Sequence, residues 1–309
     1  MRALDLFAGA GGFTQGMKQA GVVTVGAVDS NGSAVDTYNR NHAGTLKDRY
    51  YCTHSDIKEI FTLGHHPGGI DLVYGSPPCQ GFSTQGKRDP NDHRNDLCWE
   101  FARVVNLVRP KYFVMENVEG VSKVIPSLKA IYKEYGYDVL EPWVLNAYDY
   151  GVPQNRRRLF LVGHLEGTLT PSKPSPVPHT EKVTAGEALA KLTSSWDADT
   201  WTKELALHTP EVERRFDLCP PGTKEPISRF MRVAYGSPAP TVLAASRLIH
   251  PIKSRILTPR EVACLQSFPD DYYWPTSKVQ AYLQIGNAVP PLLGEAVGKA
   301  IMQCITHEV

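Results

Sequence analysis

An α/β fold, built on a wound sheet with a second, smaller and irregular unit, is what this 309-residue sequence predicts. Three observations predict it. Short apolar runs alternate with amphipathic segments through the first half, the rhythm of strands and crossover helices. A glycine-rich stretch, Ala8-Gly9-Ala10-Gly11-Gly12-Phe13, joins the first apolar run to the first helical one. Such a turn lets backbone approach a ligand and offers free N–H groups at the helix start. Beyond the proline-rich connector Pro171–Pro178 the rhythm stops, and prolines, glycines and short pieces take over.

Composition narrows the class. With 42% apolar and 21% charged residues the chain is of ordinary globular make-up, which argues against disorder and fibres. No apolar run reaches bilayer length, and the chain opens directly on a strand pattern; no leader is expected, and the cytoplasm is the expected compartment. The six cysteines, at 52, 79, 98, 219, 264 and 304, form neither a CxxC pair nor a cluster with histidines, so no metal site is expected. A net charge of +1 neither indicates nor excludes nucleic acid; only local basic segments can do that.

Leu4–Phe7 reads as the first strand, and Thr14–Ala20 as a helix stopped by Gly21. Gly9 and Gly11 match a dinucleotide-binding fingerprint, but Thr14 stands where its third glycine belongs. That departure argues against a pyrophosphate and leaves room for another nucleotide-like cofactor. Val22–Val28 is a second strand ending in Asp29, placed to grip ribose hydroxyls or to cap the next helix. A short third strand is expected within Tyr50–Ser55, before Asp56-Ile57.

Ile70–Tyr74 reads as a buried strand leading into Gly75-Ser76-Pro77-Pro78-Cys79-Gln80-Gly81-Phe82-Ser83. The two prolines fix φ and remove two donors, so the loop is stiff and presents a single thiol, as a nucleophile requires. The polar stretch Gln85–Asp96 reads as a surface loop and candidate lid. Leu97–Val108 has helical spacing, Tyr112–Met115 is a strand leading to Glu116-Asn117-Val118, Val124–Tyr135 a helix and Val139–Leu145 a strand. Alternation across Arg156–Leu161 puts Arg156 and Arg158 on one face and Arg157 on the other; two guanidinium groups there suit a phosphate or a base carbonyl. Helical spacing returns at Pro259–Ser267 and again from about Leu292 to Ile305.

These stretches, taken in order, resemble the DNA (cytosine-5) methyltransferases of the bacterial type, restriction-modification or orphan. The resemblance rests on Asp5–Gly12, Pro77-Pro78-Cys79-Gln80, Glu116-Asn117-Val118, Gln154–Arg158, Arg260-Glu261 with Gln266–Pro269, and Gly286–Pro290. It implies a Rossmann-like S-adenosylmethionine-dependent methyltransferase sheet over residues 1–192, a target-recognition domain over 193–270, and a return segment over 271–309. It implies S-adenosylmethionine as cofactor, lined by Phe7, Gly9 and Gly11, held at the ribose by Asp29 and at the adenine by Asp56 and Ile57. Pro78, Leu97 and Asn287 complete that implied pocket. Asp29 stands where the family usually has glutamate.

For catalysis the resemblance implies Cys79 as the nucleophile on cytosine C6, with Glu116, Arg156 and Arg158 around the base. It implies a target base flipped from duplex DNA, with Gln80 and Ser83 near the opening left behind. Thr241, in a pair Thr241-Val242 resembling the family's Thr-Leu, falls in the segment that reads DNA. Double-stranded DNA is the implied partner, a separately acting restriction endonuclease a further one, and a monomer without membrane attachment the implied state. A tRNA cytosine methyltransferase is the nearest alternative, though the Cys-Phe-Thr motif is missing; a non-catalytic DNA-binding regulator on the same fold is another. A nicotinamide-dependent oxidoreductase fails on Thr14.

Overall fold

Parallel strands covered on both faces must be apolar nearly throughout, and the first strand of the chain, β1 (Arg2–Leu6), is buried from its second residue to its last, Asp5 included. A computed structural model of the protein describes residues 1–42, 52–60, 68–78, 97–192, 208–244, 247–275 and 277–306. After β1 come α1 (Gly12–Gln19), β2 (Val23–Asp29), α2 (Gly32–His42), β3 (Cys52–His54), α3 (Ile57–Ile60) and β4 (Leu72–Gly75). They are followed by α4 (Leu97–Val108), β5 (Tyr112–Asn117), α5 (Ile125–Glu134), β6 (Tyr137–Val139), β7 (Trp143–Asn146) and β8 (Arg157–Leu165).

The sheet runs β3-β2-β1-β4-β5-β8-β6, with β7 also paired to β8. It is parallel from β3 through β5, whereas β8 lies antiparallel to β5, β6 and β7. Strand order reverses at β1, flanked by β2 on one side and β4 on the other, so a crevice opens at the carboxyl ends of these strands. The glycine-rich turn, Asp29 and Gly75 all lie at those ends. An aromatic core sits beside β5: Phe113 stacks on Tyr132 at 4.1 Å between centroids and meets Phe101 and Tyr137 edge-on. Gly163, across the ladder from Phe113, leaves room for its ring, since a Cβ there would lie 2.2 Å from it.

Three expectations are corrected. The single strand expected over Val139–Leu145 is two, β6 and β7, parted around Pro142, which cannot donate to a ladder. β5 continues two residues past Met115, so Glu116 and Asn117 are strand residues, paired with Phe160 and Leu159. β8 begins at Arg157, so the expected alternation starts only after Arg156.

Two compact units emerge. One comprises residues 1–146, 157–175 and 293–309, the other 147–156 and 176–292. The segment expected to return near Asp271 thus joins the first unit at Leu293. Its helix, α10 (Pro291–Thr306; α6 to α9 belong to the second unit), packs on α1 through Gly294 and Gly298, whose absent side chains admit Phe13, Met17 and Ala20.

The second unit holds α6 (Ala185–Lys191), α7 (Pro210–Leu218), α8 (Pro259–Leu265) and α9 (Lys278–Asn287), with two two-residue strands, β9 (Met231–Arg232) and β10 (Leu248–Ile249). So little regular structure leaves many main-chain carbonyls in need of donors. Buried Arg232 meets five of them, on Phe216, Asp217, Cys219, Pro251 and Ile252. Among the described residues, no helix is long and apolar enough to cross a membrane.

Candidate active site

Phe7, Gly9 and Gly11 all have positive φ, at 59°, 54° and 89°, so the backbone after β1 turns sharply before α1 begins. Phe7 takes that conformation with a side chain, at a steric cost glycine does not meet. The two glycines serve different needs. A Cβ on Gly11 would lie 2.4 Å from the His42 ring, whereas one on Gly9 would meet nothing within 4 Å. Gly11 makes room for protein; Gly9 borders open space. His42 lies partly buried against that turn, its Nε2 3.1 Å from the Gly11 carbonyl, and desolvation pushes it down to about 4.

Asp29, ending β2, closes the same turn. Its Oδ2 accepts from Gly9 N–H at 2.8 Å and its Oδ1 from Asn31 N–H at 2.8 Å. Burial pushes the carboxyl up from its ordinary range, while those two N–H groups pull it down. A carboxylate with lone pairs to spare beside an open glycine turn can accept from the hydroxyls of a nucleoside. Asp56 caps α3 through Lys58 N–H at 2.9 Å and is exposed; Ile57 is buried in the main core; Leu97, first residue of α4, packs partly buried against that core.

Beneath the turn lies a polar network that sequence reasoning missed. Asp5, fully inside, accepts from the Thr14 hydroxyl at 2.6 Å, and Thr14 also lies 3.0 Å from the Tyr38 hydroxyl and 2.8 Å from that of Tyr74. Thr14 was read only as a failed glycine. Its hydroxyl fastens α1 to β1, and that is the reason for its presence. Burial drives Asp5 well above the usual carboxylate range, and neighbouring Asp29 pushes it further the same way.

A second part of the site is built at the carboxyl ends of β4 and β5. Gly75 ends β4 so close to β1 that a Cβ would lie 2.0 Å from the Leu6 carbonyl oxygen. Ser76 N–H then bonds that same carbonyl, and Asn117 Nδ2 donates to the Pro77 carbonyl at 2.9 Å. The Pro77-Pro78 segment is thereby tied to β5, with Pro78 exposed. Cys79, Gln80, Ser83 and the Gln85–Asp96 loop lie outside the described residues.

One residue before Asn117, Glu116 faces Arg158 of β8, with Nε to Oε1 at 3.1 Å and side chains only 8% and 12% exposed. Burial lowers the Arg158 guanidinium from its usual value, and the Glu116 carboxylate opposes this. Arg157, next in line, is exposed and forms a two-pronged pair with Glu119.

Arg156 has other company. Its guanidinium, fully buried, donates to the carbonyls of Val242, Gly286 and Ala288 at 2.9–3.0 Å. Gln154 beside it accepts from Val242 N–H and donates to the Leu265 carbonyl and the Gln266 side chain. Gln266 in turn donates to Ile285. Gly286 admits this close approach, since a Cβ would lie 2.3 Å from Ala244 N. Thr241 donates its hydroxyl to the Asn155 carbonyl at 2.7 Å, and Asn287 is exposed at the end of α9. Three of the quoted motifs are thus one hydrogen-bonded lock within the second unit.

A family model described as C-5 cytosine-specific DNA methylase matches residues 1–303. Among curated relatives, the Type II methyltransferase M.XorII of Xanthomonas oryzae pv. oryzae is 36% identical, with 98% of this chain and 84% of that protein covered. The Type II methyltransferase M1.HphI of Haemophilus parahaemolyticus is also 36% identical, with 99% and 87% covered. Among solved structures, a prophage-encoded E. coli protein described as a DNA modification methyltransferase superposes with a TM-score of 0.84 at 26% identity, with 99% of both chains covered. The DNMT2 structure from Spodoptera frugiperda, at TM-score 0.70 and 20% identity over 97% of this chain and 99% of its own, shows likeness of fold. A nearly full-length family match and two relatives above 30% identity agree with the glycine turn, the buried Glu116–Arg158 pair and the motif lock: the chain belongs to the C-5 cytosine-specific DNA methylases, S-adenosylmethionine-dependent enzymes acting on duplex DNA.

Proposed function

We propose that Cys79, Glu116 and Arg158 carry the methylation of cytosine C5, and that Arg156 positions rather than reacts. The observation that supports this most is the buried Glu116–Arg158 pair, placed one residue from the Asn117 amide that ties down Pro77. Cys79 follows two residues later in the chain.

Cytosine C5 is a poor nucleophile. Addition of the Cys79 thiolate to C6 pushes an electron pair into the ring and makes C5 reactive. Glu116 hydrogen-bonds the ring near N3 and the exocyclic amine, where charge develops, while Arg158 holds the O2 carbonyl and keeps Glu116 aligned. Once C5 carries the methyl group, a base takes the C5 proton, the C–H electron pair re-forms the C5–C6 double bond, and the C6–S bond breaks to return the thiolate. S-adenosylmethionine, when bound, supplies the electrophilic methyl group. The turn fits it: Gly9 borders open space, and Asp29 offers acceptors for ribose hydroxyls. Phe7, Gly9, Gly11, Asp29, Asp56, Ile57, Pro78 and Leu97 are the residues assigned to hold it. Gln80 and Ser83 are assigned to the space left by a flipped base, and Thr241 to the DNA-facing segment.

Kinship to Type II methyltransferases supports a cognate restriction endonuclease as a separate partner. The described cysteines are all free thiols, which suits a reducing cytoplasm and a working thiolate. The enzyme is assigned to the monomeric state. The test is a duplex carrying 5-fluorocytosine at methylated positions, incubated with cofactor. The wild type is expected to form a denaturant-stable adduct and Cys79→Ala none. An adduct that persists in Cys79→Ala removes this cysteine from the mechanism.

A further inference from the structure

Two carboxylates and two guanidinium groups meet where β5 ends and β8 begins, and more than one pairing is open to them. Glu116 is the penultimate residue of β5, and Glu119 opens the short 3₁₀ turn Glu119–Lys123 that follows it. Arg157 and Arg158 are the first residues of β8, which runs antiparallel beside β5. The pairing found is inner with inner and outer with outer. Glu116 and Arg158 are nearly buried, whereas the side chains of Glu119 and Arg157 are 46% and 63% exposed.

An exposed ion pair adds little stability, so stability does not account for the outer one. Its geometry points to another use. Arg157 donates from Nε to Glu119 Oε1 at 2.8 Å and from Nη2 to Oε2 at 3.0 Å, which engages both carboxylate oxygens. A two-pronged pair of this kind fixes orientation as well as charge. The backbone under Glu119 is itself anchored: Val118 N–H bonds the Asn117 side chain, and Val121 is fully buried. The Glu119 charge nevertheless reaches the inner pair, where it favours the charged form of Arg158 as Glu116 does. Arg158 meets Glu116 through Nε at 3.1 Å, and its Nη1 turns back to the Arg157 carbonyl at 2.7 Å. With Arg157 removed, Glu119 would offer that guanidinium a second carboxylate, three residues along from Glu116.

We propose that Arg157 is a positioning residue for methylation: by occupying Glu119 it keeps that carboxylate off Arg158 and leaves Arg158 to Glu116. The proposal rests on Glu116 and Arg158 acting on the cytosine ring. It assigns neither Arg157 nor Glu119 a contact with the base.

A guard of this kind predicts damage that a second substitution repairs. The experiment uses the full-length enzyme, a methylatable duplex and S-adenosylmethionine. It reads kcat, the KM for cofactor, DNA affinity and the Arg158 Nε–Hε magnetic resonance signal. Arg157→Ala frees Glu119, and kcat is expected to fall about ten-fold with cofactor KM and DNA affinity little changed. Glu119→Gln alone is expected to stay within about two-fold of the wild type, because an amide does not compete for a cation. Arg157→Ala combined with Glu119→Gln is expected to return to that level. Arg157→Lys keeps the charge but loses the fork, and is expected to fall between the wild type and Arg157→Ala. The Arg158 signal is expected to move in Arg157→Ala and to move back in the double variant.

A double variant as slow as Arg157→Ala overturns the proposal, since the loss would then not come from Glu119. A loss of DNA affinity at unchanged kcat also overturns it and makes Arg157 a contact to DNA. Lowered denaturation midpoints with wild-type kcat in every variant overturn it too, and leave the outer pair a surface brace. A wild type that methylates no cytosine defeats the catalytic reading instead. The pairing is then judged on the Arg158 signal alone, and a signal unmoved in Arg157→Ala overturns it.

Discussion

Arg156 and Arg158 are two residues apart in one motif, and the structure spends them differently. Arg158 faces a carboxylate, Glu116, inside the first unit. Arg156 faces three main-chain carbonyls inside the second. A guanidinium saturated by carbonyls is a cross-link, holding segments that lack a ladder of their own. One paired with a buried carboxylate keeps both charges desolvated and aligned, the condition under which fixed charges act most strongly on a reacting ring. The difference teaches that a motif residue is assigned by its partners and not by its place in the motif.

The strongest way to break this comparison is at Glu116. Glu116→Gln keeps the shape and removes the charge, so kcat is expected to fall about 10²–10³-fold with DNA affinity largely retained. Stopped-time methyl incorporation and anisotropy measure the two. Unchanged turnover would place Glu116 with Arg156 among the structural groups.

Next comes Arg156→Met, which leaves three buried carbonyls without their donor. Stability is expected to fall by about 3 kcal/mol, read as a lowered denaturation midpoint. The kcat per folded molecule is expected to fall much less than in Arg158→Met. The reverse order would exchange the two roles.

Asp29→Asn sharpens the cofactor side. Asparagine keeps one acceptor for Gly9 or Asn31 but lacks the charge and the second acceptor oxygen. The KM for S-adenosylmethionine is expected to rise about ten-fold, with kcat at saturation little changed. A loss confined to kcat would detach Asp29 from cofactor binding.

Much of this was legible in the sequence where the signal is local. The helix expected over Leu97–Val108 is α4 at both ends, because its apolar period is bounded by polar turn chemistry on one side and Pro110 on the other. Asp29, expected at a carboxyl strand end, is the last residue of β2, whereas Glu116, expected just past the end of its strand, is the penultimate residue of β5. What escaped is non-local. Asn117 and Pro77 are 40 residues apart, and the carbonyls met by Arg156 lie 86 to 132 residues away. No periodicity encodes such pairings. Thr14 escaped for a different reason: it was compared with a ligand fingerprint when its partner is Asp5, nine residues earlier.

Asp5 gives the smallest expected effect and separates support from chemistry. Its folded-state pKa is raised, chiefly by burial and secondarily by Asp29, so folding favours the protonated form. A carboxyl shifted in that direction contributes stability that is complete below its unfolded value near 4. That contribution is lost as pH rises toward the folded value. Asp5→Asn keeps an acceptor for the Thr14 hydroxyl and never ionises. The variant is expected to be more stable than the wild type by about 1 kcal/mol at pH 8. The gain should shrink toward zero as pH falls to 4, in paired thermal melts across that range. A gain independent of pH would mean that Asp5 binds its proton equally well folded and unfolded, so that burial does not shift it. A loss at every pH would mean that its bond to Thr14 needs the carboxylate, making the network under the glycine turn a charged site like Glu116–Arg158 rather than a neutral brace.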